Sequence, residues 1–271
     1  MIRFFKYSAA GNDFVIINEP TLGSFALTKE HIVRICDRRF GIGADGILLH
    51  SAPESKEAHA KMTIFNSDGS VAEMCGNGIR CFALYLIKDC GMHFDPLRIE
   101  TGNGLLEARC EKAGNTYTIS ASLGKAHITD KTRKVVFGGC EFIRTGVSTG
   151  NPHLVYIAEN GTGTDVEELW KLRELGYETN VELVTDIDLV KNCAKVDVFE
   201  RGAGRTLACG TGGAAVVSTL LSIGKIKENQ AFTVKYPGGD ISYTVNSDGE
   251  TFISGIPLKI FTGEFEGQDF G

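Results

Sequence analysis

The chain repeats itself, and that constrains its fold more than any other feature. Residues 60–87 lie on residues 194–221 at a constant offset of 134 without a gap, and seven of the 28 aligned pairs are identical. Ordinary composition would give about two identities. Each copy opens as a strand, Ala60-Lys-Met-Thr-Ile-Phe65 and Ala194-Lys-Val-Asp-Val-Phe199, with apolar residues alternating with polar ones. Ten residues on, Cys75-Gly-Asn-Gly78 falls on Cys209-Gly-Thr-Gly212. An apolar run follows in both, predicting helices over Ile79–Lys88 and Gly213–Ile223. A helix that is apolar nearly all round has to be buried on every side. The expected class is therefore α/β (α+β): two pseudo-symmetric domains, each a curved, mixed and mostly antiparallel sheet wrapped around one central buried helix.

Two weaker echoes keep the same order along the chain. Gly11-Asn-Asp-Phe14 matches Gly150-Asn-Pro-His153, and Gly102-Asn-Gly-Leu105 matches Gly238-Gly-Asp-Ile241. The expected domains are 1–130, carrying Cys75, and 131–271, carrying Cys209, with the boundary in the polar stretch Thr129–Gly139 and terminal segments crossing back. Alternating runs bounded by Gly, Asn and Asp predict strands at Phe14–Asn18, Arg98–Thr101, Leu105–Cys110, Tyr117–Ser120, His153–Ile157, Ala231–Tyr236 and Ile241–Val245.

Composition narrows the partners. The 271 residues carry a formal charge of −6 and no Lys/Arg block, so there is no basic surface to neutralise phosphates. Nucleic acid and anionic membrane are excluded as expected partners, and a small molecule remains. Met1-Ile-Arg-Phe-Phe-Lys6 lacks the apolar core of a signal peptide, and the longest apolar run, Cys81–Ile87, is too short to span a bilayer. The expected compartment is the cytoplasm. The eight cysteines are irregularly spaced without any Cys-x-x-Cys, and no metal site is expected.

Cys75 and Cys209 stand immediately before the two buried helices, where free backbone N–H groups and the positive end of the helix dipole favour an anion. Such a setting is expected to lower a thiol from about 8.5 towards roughly 3.5–7.5, making thiolate available. The amides of Gly76, Asn77, Gly210 and Thr211 are candidates to hold a carboxylate. A pseudo-twofold repeat would set the two thiols on opposite sides of one ligand carbon, the arrangement that inverts a stereocentre: one removes a proton while the other returns one. No cofactor is required for that. Gly210-Thr-Gly-Gly-Ala-Ala215 also fits a dinucleotide fingerprint, but the preceding strand ends near Phe199, too early for the tight turn such sites use.

The motifs Gly11-Asn-Asp-Phe14, Gly41-Ile-Gly-Ala-Asp-Gly46, Phe65-Asn-Ser-Asp-Gly69, Cys75-Gly-Asn-Gly78 with Arg80-Cys-Phe-Ala83, Gly150-Asn-Pro-His153, Asn180-Val-Glu182, Glu200-Arg-Gly-Ala-Gly204 and Ala208-Cys-Gly-Thr-Gly212 run nearly end to end. In these the chain closely resembles the diaminopimelate epimerases, which interconvert LL- and meso-diaminopimelate for lysine and peptidoglycan precursor synthesis. The resemblance implies that Cys75 and Cys209 are the catalytic acid and base, assisted by His153 and Glu200. It also implies carboxylate binding by Gly76, Asn77, Gly210 and Thr211, and binding of the rest of the substrate by Asn12, Asn66, Asn151, Asn180, Glu200 and Arg201, in a homodimer. Arg201 beside Glu200 suits a substrate with a second carboxylate and a second ammonium.

Three positions depart from the family pattern: Gly46, where some members carry glutamine; Leu175-Gly-Tyr-Glu-Thr179, which lacks a Phe-Pro before Asn180; and Gly213, where alanine is more usual and glycine loosens the helix. Two other functions fit parts of the sequence. One is a racemase of proline, hydroxyproline or histidine on the same fold, though Asn77 stands where such enzymes usually carry histidine. The other is a redox-active dithiol or ligand-binding protein.

Overall fold

A computed structural model describes every residue except 73, 159–162, 172–178 and 268–271. The chain forms two compact units, one of Met1–Ala121 together with the segment from Gly255 onward, the other of Ser122–Ser254.

The first unit contains strands β1 (Ile2–Ala9), β2 (Asn12–Asn18), β3 (Gly46–Ser51), β4 (Ala60–Asn66), the two-residue β5 (Val71–Ala72), β6 (Leu97–Thr101), β7 (Gly104–Ala113), the first part of β8 (Thr116–Lys125), and β18 (Leu258–Phe265). Its helices are α1 (Lys29–Cys36) and α2 (Gly76–Lys88). The strands lie in the order β18-β1-β2-β3-β4-β6-β7-β8. All neighbours are antiparallel except β2–β3 and β4–β6, which are parallel. The crossovers these two pairs need carry α1 and α2.

The second unit holds the rest of β8, β9 (His127–Phe137), β10 (Cys140–Ser148), β11 (Pro152–Ala158), β12 (Asn180–Asp188), β13 (Cys193–Glu200), β14 (Gly204–Thr206), β15 (Phe232–Tyr236), β16 (Gly239–Val245) and β17 (Glu250–Gly255), with helices α3 (Val166–Lys171) and α4 (Gly210–Ser222). Its order is β9-β10-β11-β12-β13-β15-β16-β17, again antiparallel except for two pairs, β11–β12 and β13–β15.

The duplication extends to single ladder pairs. Ile47 opposes Phe65 as Val181 opposes Phe199, and Ile64 opposes Ala72 as Val198 opposes Thr206, each at the offset of 134 seen in the sequence. A slip of one residue would turn every side chain to the other face, so matched register means matched inward positions. The fold is mixed α+β, mostly sheet with few helices.

Each unit buries one helix. All of α2 from Gly76 to Ile87 is buried, and it packs on β1, β2 and β18 towards one end of the strand order and on β7 towards the other, so the sheet closes around it. Helix α4 packs likewise on β10, β11, β12 and β16. Both helices start three residues before the expected positions, because the cysteine is the N-cap itself and the Gly-x-Gly forms the first turn. Nor is α2 wholly apolar, since Arg80 lies in its buried body with 1% of its surface exposed.

The stretch Thr129–Gly139, read from sequence as a boundary, is the greater part of β9 and its hairpin turn into β10, the turn made by Gly138 and Gly139 at positive φ. Its polar character reflects a mostly exposed strand rather than a linker. Among the described residues no helix is long and apolar enough to cross a membrane.

Candidate active site

Both cysteines cap their helices in the same way. Cys75 has extended φ/ψ of −147° and 112°, and its Sγ accepts the N–H of Gly78 at 3.3 Å. Cys209, at −126° and 117°, accepts from Gly212 at 3.3 Å. A sulfur thus takes the place of the Ser or Asp oxygen usual at an N-cap. The next two amides, those of Gly76 and Asn77 and of Gly210 and Thr211, belong to the first turn, where a helix supplies no carbonyl partner.

The second glycine of each motif serves the interior rather than a ligand. A Cβ on Gly78 would lie 3.3 Å from Leu48 Cδ2, and one on Gly212 would lie 2.4 Å from Glu182 Oε1. The first turns of α2 and α4 therefore rest directly on β3 and β12.

Around Cys209 the second unit gathers titratable groups. The Cys209 sulfur lies 3.4 Å from Thr211 Oγ1, and the nearby Glu200 carboxyl accepts from Thr206 Oγ1. His153, 1% exposed on β11, holds its Nδ1 2.7 Å from Glu182 Oε1 and its Nε2 3.0 Å from Asn151 Oδ1. Thr149 Oγ1 donates to that same Asn151 oxygen at 3.2 Å. Asn180 Oδ1 accepts the backbone N–H of Arg201 at 2.8 Å, fixing the turn that follows Glu200. Tyr236 and Tyr243 donate their hydroxyls to the carbonyls of Cys209 and Gly210, each at 2.9 Å.

The electrostatics of Cys209 run against the helix-terminus expectation. Burial, followed by the nearby Glu200 and Glu182 carboxylates, pushes its thiol well above the ordinary range despite the helping N–H of Gly212. The field of the helix end is outweighed because the group is desolvated and faces two acids. Burial likewise pushes the Glu200 carboxyl up. Cys209 is therefore a proton-bearing thiol in this conformation.

The first unit is organised differently. Arg80 Nη2 donates to Asn77 Oδ1, Asn77 Nδ2 donates to Asn12 Oδ1, and Asn12 Nδ2 donates to Asp45 Oδ2 at 3.1 Å. A guanidinium only donates and a carboxylate only accepts, so the two ends of this chain fix the orientation of both asparagine amides. Asp45 is held in turn by the N–H of Asp13 at 3.0 Å and by Arg38 Nη2 at 2.6 Å. Asn66, at the end of β4, donates to Ser70 Oγ at 2.9 Å within its own exposed turn.

Two of the departures now have physical causes. A Cβ on Gly213 would lie 2.3 Å from the Tyr243 hydroxyl oxygen, so the buried tyrosine excludes alanine there. A Cβ on Gly46 would lie 2.4 Å from the Phe65 carbonyl oxygen in the β3–β4 ladder, which leaves no room for glutamine. Of the stretch before Asn180, residues 175–178 lie outside the described residues; Thr179 is buried and its carbonyl accepts from Trp170.

Within the second unit the structure brings together Cys209, His153, Glu200, Asn151, Asn180, Arg201, Gly210 and Thr211, and within the first Cys75, Gly76, Asn77 and Asn12. Sequence reasoning missed Glu182, Arg80, Asp45, Tyr236 and Tyr243. A lone glutamate inside the apolar run Val181-Glu-Leu-Val184, and a lone arginine inside an apolar helix, were usable signals. The tyrosines left none, because alternate strand positions carry aromatic residues for packing alone.

The sequence profile described as Diaminopimelate epimerase matches residues 4–129 and 145–260. The chain is 36% identical to the diaminopimelate epimerase of Synechococcus elongatus over 98% of both chains. It is 33% identical to that of Moorella thermoacetica over 97% of this chain and 99% of the relative. Among solved structures it is similar to a probable proline racemase from Agrobacterium radiobacter, with TM-score 0.73, 14% identity and 98% and 93% of the two chains covered. It is also similar to a hydroxyproline epimerase from Agrobacterium vitis, with TM-score 0.70, 12% identity and 97% and 90% covered. At those identities the two structures share the fold alone, whereas the profile and the relatives span nearly the whole sequence: this chain belongs to the diaminopimelate epimerase family.

Proposed function

We propose that Cys75 and Cys209 together invert one α-carbon of diaminopimelate, and that the thiol each presents at a helix N-cap is the proton carrier. The chain is an isomerase that interconverts LL- and meso-diaminopimelate, a step of lysine and peptidoglycan precursor synthesis. The observation that carries the two-thiol reading is the equivalence of the two caps, with the same sulfur, the same accepted N–H and the same 3.3 Å.

In one direction Cys75 as thiolate takes the α-proton, and Cys209, which enters as a thiol, gives its own proton to the opposite face. The carbon is left with inverted configuration, and the pair retains one proton. Reversal exchanges the roles. As the α-proton leaves, charge builds on the substrate carboxylate, and the free amides of Gly76, Asn77, Gly210 and Thr211 are the donors assigned to it. Removing one such donor typically costs about 2.7–4 kcal/mol of transition-state stabilisation. His153 and Glu200 are assigned to the reacting amino end. Asn12, Asn66, Asn151, Asn180 and Arg201 are assigned to the rest of the substrate, with the Arg201 cation for the distal carboxylate.

Incubation with LL-diaminopimelate in heavy water tests this, with α-deuterium followed by mass spectrometry. Deuterium is expected at the inverted carbon of the meso product. Turnover without solvent deuterium overturns the two-thiol scheme, and turnover of proline or hydroxyproline in its place favours the racemase reading. We also propose a cytoplasmic homodimer. Exposed Leu258, Ile260 and Phe261 along β18, whose described partner is β1, support a covered face there, and sedimentation at micromolar concentration checks it.

A further inference from the structure

We propose that Glu182 is a positioning residue for the reaction: it orients His153 and keeps the proton on Cys209, so that the second unit starts as the acid half of the pair. The inference rests on the two-thiol reading above and adds a residue to which that reading gives no role.

An aliphatic residue occupies the same place in the sister unit. Glu182 lies on β12 and Leu48 on β3 at the offset of 134, and both support the first turn of the central helix against the second glycine of Cys-Gly-x-Gly. Leu48 shows that the scaffold accepts an aliphatic side chain there. Glu182 is fully buried and its Oε2 has no hydrogen-bond partner among the described residues. A buried acid with one oxygen unmet is less stable than a leucine of similar size. The structural task of the position does not explain the charge.

Its contacts do. Oε1 takes the Nδ1 side of His153 at 2.7 Å, which leaves Nε2 for Asn151 and fixes the ring. A carboxylate that holds one ring nitrogen of a histidine sets the orientation of the other. The same oxygen stands where a Cβ on Gly212 would be, against the turn that Cys209 caps. The groups around Cys209 are Glu200 from β13 and Glu182 from β12, Thr211 Oγ1 at 3.4 Å from the sulfur, and Tyr236 from β15 on its carbonyl, while His153 from β11 acts on the neighbouring Glu200. Negative charge from Glu182 favours the protonated thiol. His153 corresponds to Phe14 in the first unit, by the ladder pairs His153–Asn180 and Phe14–Gly46. The helper and its holder thus stand where the first unit has two apolar residues, Phe14 and Leu48.

The test uses the full-length protein with Glu182→Gln, which keeps an oxygen for His153 but removes the charge, and Glu182→Leu, which copies Leu48. Both are expected to fold, as judged by circular dichroism and melting. Each is expected to lose about ten-fold or more in kcat, with KM nearly unchanged. In Glu182→Gln the basic limb of the kcat/KM profile moves to lower pH by about half a unit or more, because Cys209 gives up its proton more easily. Unchanged kcat and an unmoved basic limb in folded Glu182→Gln overturn the proposal. So does failure of Glu182→Leu to fold, since the position would then need its acid for structure. Wild-type exchange in heavy water and inactive Cys209→Ala are run beside them; their failure condemns the two-thiol reading itself.

Discussion

Replacing Gly213 by alanine separates packing from propensity at the head of α4. Propensity alone predicts a gain, since glycine within a helix is about 1 kcal/mol worse than alanine. The structure predicts the opposite. The new methyl would lie 2.3 Å from Tyr243 Oη, 2.4 Å from Cζ and 2.6 Å from Cε2, all atoms of a rigid ring that is 0% exposed. Overpacking of this kind costs about 1–3 kcal/mol. Displacing the ring also breaks the hydroxyl's hydrogen bond to the Gly210 carbonyl, a buried pair whose loss costs about 1–3 kcal/mol more. After the gain in propensity is subtracted, the net loss is about 1–5 kcal/mol, centred near 3, and the melting temperature should fall by roughly 6–12 °C. Turnover should fall as well, because Gly210 is the first residue after the Cys209 cap. Tyr243→Phe is the wrong rescue, since ring carbons clash as closely as the oxygen, whereas Tyr243→Leu in the Gly213→Ala background should recover part of the loss. A Gly213→Ala protein that melts at or above the wild-type temperature would refute the reasoning.

Cys75→Ser and Cys209→Ser should each lower turnover by about 10²–10⁴-fold, the usual contribution of one acid or base, with melting temperatures near wild type; substantial activity in either removes that residue from the proton path. Burial raises the folded pKa of Glu200 above its ordinary value near 4.5, so the stability it contributes is fully present below that pH and is lost as pH rises through the folded value. Glu200→Gln should therefore gain in melting temperature relative to wild type between pH 4 and pH 7 while losing activity, and a difference that does not vary with pH contradicts the shift. Gly46→Ala should cost about 1–3 kcal/mol by pressing a methyl on the Phe65 carbonyl, measured by urea denaturation; wild-type stability there would show that β3 and β4 separate easily.

The repeat was legible because both units preserve the same ladder register, and register is what a constant offset records. It located the caps as well: the only part that moved was the helix start, since Gly-x-Gly reads as a loop until a sulfur is seen accepting the third N–H. Strand β9 was not legible, because a mostly exposed strand lacks the apolar alternation that marks half-buried ones. Cys75, Cys209, His153 and Glu200 could be picked out as candidates because each sits in a local motif. The site was invisible where a long-range contact gives a residue its meaning. Asp45 reaches Asn12 across 33 positions, Tyr236 reaches the Cys209 carbonyl across 27, and no window of sequence contains either pair. The raised thiol of Cys209 falls in the same class, because it depends on burial and two acids brought in by other strands, while sequence shows only the helix end that opposes them.

Compared at their repeat positions, the two units differ in charge-bearing residues. Phe14, Leu48, Asn66 and Cys75 in the first correspond to His153, Glu182, Glu200 and Cys209 in the second, by the offset of 134 and the matched ladder pairs. Three positions that are neutral in one unit are titratable in the other. An acid/base pair works only while the two groups share a single proton, and two thiols in identical surroundings tend to gain or lose protons over the same pH range. Different surroundings widen the interval in which one thiol is charged and the other is not. The two units carry equivalent sulfurs at two helix N-caps and differ at Phe14/His153, Leu48/Glu182 and Asn66/Glu200, so the two thiols have unequal surroundings. In the two-thiol scheme proposed above, the acidic cluster of the second unit is what sets Cys209 apart as the acid.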